Sequence, residues 1–405
     1  MPLWAASLAA FACHFDPSAA GIAGDGGEPP ADAAPGAPDA AAGCAWGYMP
    51  VHFDPCSPAT PEPDGPLMLT LPGTYVYDTD TGVLTAPGGG ASVPASSDLG
   101  GVRAVWVRGL MVGAAARLRA VGSAPLLIAS FGDIDVVGTI DASSGFDGSG
   151  YVRGAGANSS ACPASPPDPG ATCAQHGGSG GGGGAFGGDG GRGGEGGDTR
   201  DCGGGFPDGI PGGAGGVAVA APPEMLRGGC AGADGAANND GFDTYGRGGP
   251  GGGAVHLAAR DALRVTGRVL AGGAGGGPGT GHRAGGGGGG SGGMIGLEGG
   301  TVTIGPLAVV AANGGGGGGG CDGNRAEPGE DGGAGARRAD GGDGEGKGGR
   351  GGTGGALANP DGEDAPVAER GGGGGGGGAG VIVLYGPAAP AIDGAAVVSP
   401  APIVD

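Results

Sequence analysis

Large apolar side chains and aromatic rings are scarce in this chain of 405 residues. Leucine, isoleucine, valine and phenylalanine together supply 63 residues, and aromatic residues make up 4% of the sequence. A chain with so few large apolar side chains cannot bury the core that ordinary globular proteins require. The composition therefore argues against a doubly wound enzyme, a helical bundle and a multi-domain globular protein.

Basic residues are scarce as well. Nineteen lysine and arginine residues stand against 40 aspartate and glutamate residues, which gives a formal charge of −21, and Lys347 is the one lysine. Nucleic acids and anionic membranes are bound by patches of lysine and arginine that release counterions. We therefore expect no nucleic-acid partner and no direct binding to an anionic membrane surface.

The chain is rich in glycine, with 114 residues, and it contains a repeat of short strands that are broken at glycine. Each unit has a short apolar strand followed by strands of alternating pattern, and a single such strand cannot bury its apolar face alone. The clearest units begin at Leu126, Ala254, Met294 and Val381, and an earlier unit begins at Leu110. Stacking of the units aligns their apolar residues in columns: Val255 with Ile295 and Ile382, Leu257 with Leu297 and Leu384, Leu263 with Val302, and Val265 with Ile304. This pattern predicts an all-β fold, a parallel β-solenoid of the right-handed β-helix type, over residues 99–400.

Three glycine-rich tracts interrupt the repeat as insertions, at about residues 148–253, 272–293 and 314–380. Parts of them have a three-residue rhythm, as in Gly187–Glu195, which matches the period of a polyproline II helix. Glycine at two positions of three would let such segments lie side by side, with the third residue outward, as in polyglycine II. The alternative is that the tracts are disordered loops, because glycine loses the most entropy on ordering.

The amino-terminal region has the features of an exported protein. Residues 1–13 form a signal-like segment in which the apolar stretch Leu3–Ala12 precedes Cys13, the candidate for lipidation. No lysine or arginine precedes the stretch, so an ordinary cleaved signal, or none, is the alternative. Residues 14–43 form a linker of Ala, Pro and Gly, and residues 44–98 form a small β region with cysteines.

Eight cysteines favour an oxidising compartment. Neighbours in sequence suggest the bridges Cys44–Cys56, Cys162–Cys173 and Cys202–Cys230, although sequence alone does not fix the connectivity. If Cys13 is lipidated, seven cysteines remain and Cys321 is the odd one.

Polar residues on the outward face of the repeat could carry chemistry. The residues expected there are Asp133, Asp135, His256, Arg264, Glu298, Thr301 and Thr303. Asp135, Arg264 and Thr303 are expected to share one column, where a carboxylate beside a guanidinium is more often a surface ion pair than an acid/base couple. No catalytic, cofactor-binding or metal-ligating residue is predicted, and the scattered aspartates would support at most weak Ca²⁺ binding.

The stretches Met294–Gly314 and Gly380–Gly386 carry a resemblance to known proteins. A glycine run precedes a short Gly-x-Ile-x-Leu strand, and Thr-Val-Thr-Ile-Gly and Ala-Asn-Gly-Gly follow it. This pattern resembles glycine-rich exported proteins of high-GC bacteria, particularly myxobacterial ones that are loosely labelled PE-PGRS-like, and it extends over about Leu110–Pro400. The helical PE domain is absent. The resemblance implies placement in the cell envelope or on the surface.

The sequence thus favours a non-enzymatic structural or adhesion protein of the cell surface or envelope. Its partners would be envelope or extracellular matrix components, including polysaccharide, and it would meet a membrane only through a lipid anchor. Two alternatives remain open: a carbohydrate-binding or polysaccharide-degrading β-helix, and a protein that contacts ice or mineral surfaces.

Overall fold

A computed structural model describes residues 46–57, 59–147, 150–162, 170, 172–173, 177–197, 210–237 and 244–405. The signal-like segment, the linker, Cys13, Cys44 and Cys202 lie outside these residues. The described residues belong to one compact unit, Gly43–Asp405. They include no helix, and hence none with the length and apolarity to cross a membrane.

The strands, numbered in chain order, form two large sheets and two small hairpins. The first sheet contains β1 (Leu67–Leu69), β5 (Ser96–Asp98), β6 (Arg103–Val107), β7 (Leu110–Val112), β9 (Leu126–Ser130), β10 (Ile134–Val136), β16 (Ala254–Val265), β18 (Met294–Ile304), β20 (Val381–Tyr385), β21 (Ala391–Ile392) and β23 (Ile403–Val404). The second contains β2 (Gly73–Asp78), β3 (Val83–Thr85), β4 (Ala91–Ser92), β8 (Ala116–Val121), β11 (Thr139–Asp141), β17 (Arg268–Leu270), β19 (Val309–Ala311) and β22 (Val397–Ser399). The hairpins pair β12 (Gly145–Phe146) with β13 (Tyr151–Val152), and β14 (Thr172–Cys173) with β15 (Gly177–Gly178).

Strands from successive units pair in parallel, in the register that the repeat predicts. Val255 pairs with Ile295, which pairs with Ile382, and the three leucines at 257, 297 and 384 align in the same way. Leu263 pairs with Val302 and Val265 with Ile304. All of these side chains are buried in one apolar core. The predicted columns are therefore confirmed, because alternation along each strand puts every second side chain on the same face.

The predicted all-β class is also confirmed, but the sheets are mixed. β3, β4 and β5 pair in an antiparallel manner, whereas the strands of the repeat pair in parallel. β1 and β2 extend the repeat sheets toward the amino terminus, since they pair in parallel with β7 and β8. The boundary expected near residue 98 falls between β5 and β6, which pair with each other.

One disulfide differs from the expected pairing. Cys162 is bonded to Cys230, 68 residues away, so the predicted bridges Cys162–Cys173 and Cys202–Cys230 are wrong. The backbone explains the choice, because the amide of Asn158 donates to the carbonyl of Gly229 at 3.0 Å and holds the two segments together. Cys56 is disulfide-bonded as well. The buried Cys321 thiol donates to the carbonyl oxygen of Gly281 at 3.0 Å.

Candidate functional site

The described parts of the glycine tracts form a second interior, which we call the glycine array. It comprises residues 177–197, 210–237, 244–253, 271–293, 313–333 and 338–380. Its segments are extended, and backbone hydrogen bonds join each segment to several others at every third residue. For example, Gly286, Gly289 and Gly292 donate to Gly372, Gly375 and Gly378, all at 2.9 Å. The expectation of disordered loops is wrong for these residues.

Segment 284–293 lies inside the array and bonds to six neighbouring segments. Its amides donate in three directions, to segments 230–236, 271–277 and 372–378. Its carbonyls accept from three further directions, from segments 181–184, 246–252 and 315–321. A period of three residues per turn gives each segment three donor directions, which is why one segment can bond to so many others.

Close approach of backbones makes glycine obligatory at the centre. A Cβ added at Gly288 would overlap the carbonyl oxygen of Gly182, and one added at Gly374 would overlap that of Gly287. Neither glycine has a positive φ, so the requirement is for space and not for an unusual backbone conformation. The array is therefore held by amide-to-carbonyl bonds across gaps that no side chain fits.

Acidic side chains bind the amides at the edge of the array. Asp361 accepts from the amide of Asp189 at 2.8 Å, and Asp364 accepts from that of Arg192 at 2.6 Å. Asp234 accepts in the same way from Gly248 at 2.8 Å. No further segment among the described residues bonds to these edge amides, and an ionised carboxylate is a strong acceptor for them. Some of the acidic residues thus stabilise the array by accepting backbone hydrogen bonds, a role that the sequence did not lead us to expect. The spacing Asp-x-x-Asp at 361 and 364 matches the three-residue period and is the sequence signal for this role.

The predicted outward column of Asp135, Arg264 and Thr303 is present in the structure. Arg264 pairs in register with Asp135 and with Thr303. Its guanidinium lies 3.1 Å from a carboxylate oxygen of Asp133 and 3.3 Å from one of Asp135, and all three side chains are at least 37% exposed. Thr301 and Thr303 are exposed too. These carboxylates are engaged in exposed ion pairs with Arg264, of the kind that contributes little to stability.

His256 and Glu298, by contrast, are buried, so the prediction that they point outward into solvent is wrong. His256 Nε2 lies 2.9 Å from Glu298 Oε2, and the amide of Val51 donates to Glu298 Oε1 at 3.0 Å. The cause is segment 46–56, which covers this face of the sheet with aromatic side chains. Three aromatic residues in eight positions, Trp46, Tyr48 and Phe53, are unusual in a chain with so few, and that local richness is the sequence signal for a covered face.

The covered cluster is packed by aromatic and imidazole rings. The rings of His256 and Tyr385 are parallel, with centroids 5.6 Å apart. The ring of His52 packs edge-on against that of His256, with centroids 4.8 Å apart. Burial, reinforced by the nearby His256, lowers the pKa of His52 to about 4. Burial also raises the pKa of Tyr385 to about 12. The cluster thus favours the neutral forms of His52 and Tyr385. The Tyr48 hydroxyl donates to the carbonyl of Ala259 at 2.7 Å and so fastens the covering segment to the sheet.

A cleft of about 1090 Å³ lies beside His52, and two of the charged residues that line it, Asp80 and Arg227, are engaged by other groups of the protein. The guanidinium of Arg227 lies 4.9 Å from the ring centre of Phe186 and donates to the carbonyl of Ala161. Asp80 accepts from the amide of Ser123 at 2.8 Å. Across the described residues, no group of three or more His, Cys, Asp or Glu side chains is placed to hold a metal ion.

Comparison of this chain with known proteins identified no similar protein. No protein-family model matches the chain, and no curated protein or solved structure is significantly similar to it.

Proposed function

We propose that this chain is a non-enzymatic structural or adhesion protein of the cell surface or envelope. The observation that supports this best is the glycine array, in which somewhat more than a third of the chain is held by backbone hydrogen bonds and presents only every third side chain. Such an array is a rigid platform whose outward residues are fixed in position. Neither the exposed ion pairs nor the covered His–Glu pair supplies a nucleophile beside a base.

The finer architecture belongs to the same proposal. We take the parallel columns of strands to be a right-handed β-solenoid from which the glycine tracts leave and return, and the array to be polyglycine II. The parallel register that aligns Leu110 with Ile134, Leu263 and Val302 across β7, β10, β16 and β18 supports the first identification. The three-residue period and the six neighbours of segment 284–293 support the second.

Export is supported by the disulfide chemistry. The Cys162–Cys230 bridge joins segment 150–162 to the array, and Cys56 forms a further disulfide. Disulfides of this kind persist in oxidising compartments. Together with the signal-like start, they favour an envelope or extracellular protein, with Cys13 as the lipid anchor point and envelope or matrix components, including polysaccharide, as partners.

Protease treatment of intact cells tests the placement. Cells expressing the full chain would be treated with a broad-specificity protease before and after lysis, and the protein would be followed by immunoblot beside a cytoplasmic marker. Surface placement predicts cleavage in intact cells while the marker stays intact. Complete protection, together with recovery in the cytoplasmic fraction, would contradict the proposal. A Cys13→Ser variant that leaves the membrane fraction would identify the anchor.

A carbohydrate-binding or polysaccharide-degrading β-helix is the second candidate. The observation that favours it is the exposed Asp133–Arg264–Asp135 group on a regular strand face, where hydroxyl groups of a sugar could replace the ion-pair contacts. A glycan array followed by an assay for new reducing ends separates the outcomes. Retention without new ends indicates a binding module, and release of product indicates an enzyme. Contact with ice or mineral is less favoured, because the column Asp135, Arg264, Thr303 is not uniform.

A further inference from the structure

One segment of the glycine array, residues 271–280, has an incomplete set of neighbours. Within the array it bonds to four described segments: 244–252, 284–293, 313–321 and 326–333. Outside the array, the amide of Ser144 donates to the carbonyl of Gly272 at 2.8 Å. These four also bond to one another in that order, through Gly249 to Gly288, Gly315 to Gly290 and Gly316 to Glu330, each at 2.9 Å. They therefore form a continuous arc around segment 271–280. The side between segments 244–252 and 326–333 is left open.

A groove of about 530 Å³ occupies that open side. Its floor is segment 275–280, and its two walls come from the segments that end the arc. The far ends of floor and walls are joined by bridges from Thr280 to Thr244 and to Arg325. The groove is therefore an open row of the array whose floor is bonded to both walls.

The near end of this row is already filled by the hairpin of β12 and β13. The Tyr151 hydroxyl donates to the carbonyl of Gly275 at 2.8 Å. Asp331 accepts from the amides of Gly275 at 2.9 Å and Phe146 at 3.2 Å. The hairpin, through Tyr151, and the wall residue Asp331 thus take the bonds that a further segment would make to Gly275. Beyond it, the floor continues through Pro278, which has no amide to donate, toward the open far end.

Rings and two cations line the remaining space. Tyr151 and Phe146 close the near end, Tyr245 stands on one wall with 41% of its surface exposed, and Pro278 and Pro328 add flat apolar faces. Arg247 and Arg325 lie on opposite walls of the groove. Grooves lined by aromatic rings bind polyproline II segments, whose extended shape is formed before binding. Guanidinium groups on both sides favour a ligand that carries carboxylates.

We propose that this groove binds an extended peptide in the polyproline II conformation that contains proline and acidic residues. The peptide occupies the row that the array leaves vacant, with its prolines against Tyr245 and Tyr151 and its carboxylates beside Arg247 and Arg325. This proposal concerns a ligand of the array and does not depend on where the protein resides. It can therefore be tested independently of the proposed surface function.

Titration of a synthetic peptide into the intact full-length chain tests the site. The probe is acetyl-Pro-Pro-Ala-Asp-Ala-Ala-Pro-Gly-Ala-Pro-Asp-amide, a sequence that matches residues 29–39 and supplies both prolines and carboxylates. Calorimetry should give saturable binding of one peptide per chain. A peptide with glycine in place of every proline should bind at least tenfold more weakly, because it is not extended in advance.

Two variants on opposite walls locate the binding. Tyr245→Ala should weaken binding about tenfold, and Arg325→Glu should weaken it several-fold and remove its salt dependence. Val367→Ala, at an exposed position outside the groove, is the matched control and should bind as the parent does. Circular dichroism and the thermal midpoint of each variant verify folding, and two independent variants keep the test decisive if one fails to fold.

Three results would overturn the proposal. One is the lack of saturable binding to the parent chain. Another is equal binding by the parent and both groove variants, which would put the peptide elsewhere. The third is a parent chain that sediments as a dimer and a Tyr245→Ala variant that sediments as a monomer, which would assign the groove to a second copy of this chain.

Discussion

The strand columns and the glycine array are two interiors built on opposite principles. In the columns, side chains such as Ile295 and Leu297 fill the space between sheets, and stability comes from apolar burial. In the array, the backbones themselves fill the space, and hydrogen bonds at every third residue hold them together. The first interior loses stability when a side chain is removed. The second should lose stability when a side chain is added.

Adding one methyl group at the centre of the array should cause the largest loss. Gly288→Ala puts a Cβ onto the carbonyl oxygen of Gly182, where backbone cannot move aside without breaking bonds to several segments. We expect the free energy of unfolding, measured with urea, to fall by roughly 4 kcal/mol or more, the size that marks exceptional damage. Hydrogen exchange should quicken in the array first.

Gly333→Ala is the matched control for this substitution. A Cβ at Gly333 meets nothing within 4 Å, so the same chemical change should leave the urea midpoint within error. If the two variants lose equal stability, the cost lies in glycine content itself, and the requirement for close approach at Gly288 is wrong.

Removing a side chain from the strand columns should cause the next largest loss. Ile295→Ala leaves a cavity between Val255 and Ile382, and large-to-small changes of this kind cost about 2–5 kcal/mol. Leu307→Ala, at a position 84% exposed, is the control and should change the urea midpoint little. Amide hydrogen exchange should become faster in β16, β18 and β20 while the amides of the array stay protected. Uniform loss of protection would show that the two interiors unfold together.

The two interiors also differ in how far the sequence predicts them. The columns follow from the period-two pattern, so the partners of Val255 and Leu257 and the Asp135–Arg264–Thr303 column could be read directly. Composition does not say which glycine segment lies beside which, because every segment offers the same backbone groups. The disulfide pairing of Cys162 with Cys230 depends on that arrangement, which is why neighbours in sequence gave the wrong partners. His256 was placed wrongly for another reason: strand alternation does not reveal a separate segment covering the outer face.

Acid should weaken the covered face more than the rest of the molecule. His52 has a folded-state pKa of about 4, below the ordinary value of 6.5, so the unfolded chain takes up its proton first as pH falls. The neutral ring contributes stability that is complete above pH 6.5 and is lost as pH falls from about 6.5 toward 4. The groups that face it in the cluster are His256 and, beyond it, Glu298.

A urea series at pH 7 and pH 5 measures this effect. When the pH is lowered from 7 to 5, protonation of His52 should reduce the free energy of unfolding of the parent by about 1 kcal/mol, allowing for the partial exposure of this residue. His52→Phe should reduce that loss, whereas His282→Gln, at an exposed position in the array, should keep it. Identical pH dependence in the parent and the His52→Phe variant would remove His52 as the cause.

The smallest effect should come from the edge of the array, where side chains, not a further segment, complete the hydrogen bonds. Asp364→Ala removes the acceptor that holds the amide of Arg192, and a hydrogen bond to an exposed charged group is worth about 1 kcal/mol. Asp364→Asn removes the same charge but keeps an acceptor oxygen, so the difference between the two variants isolates the bond from any relief of self-repulsion in this acidic chain. Exchange of the Arg192 amide should quicken in the alanine variant and much less in the asparagine variant. Equal exchange rates in both would mean that the carboxylate acts through its charge alone, and the array edge would then have to be satisfied by water.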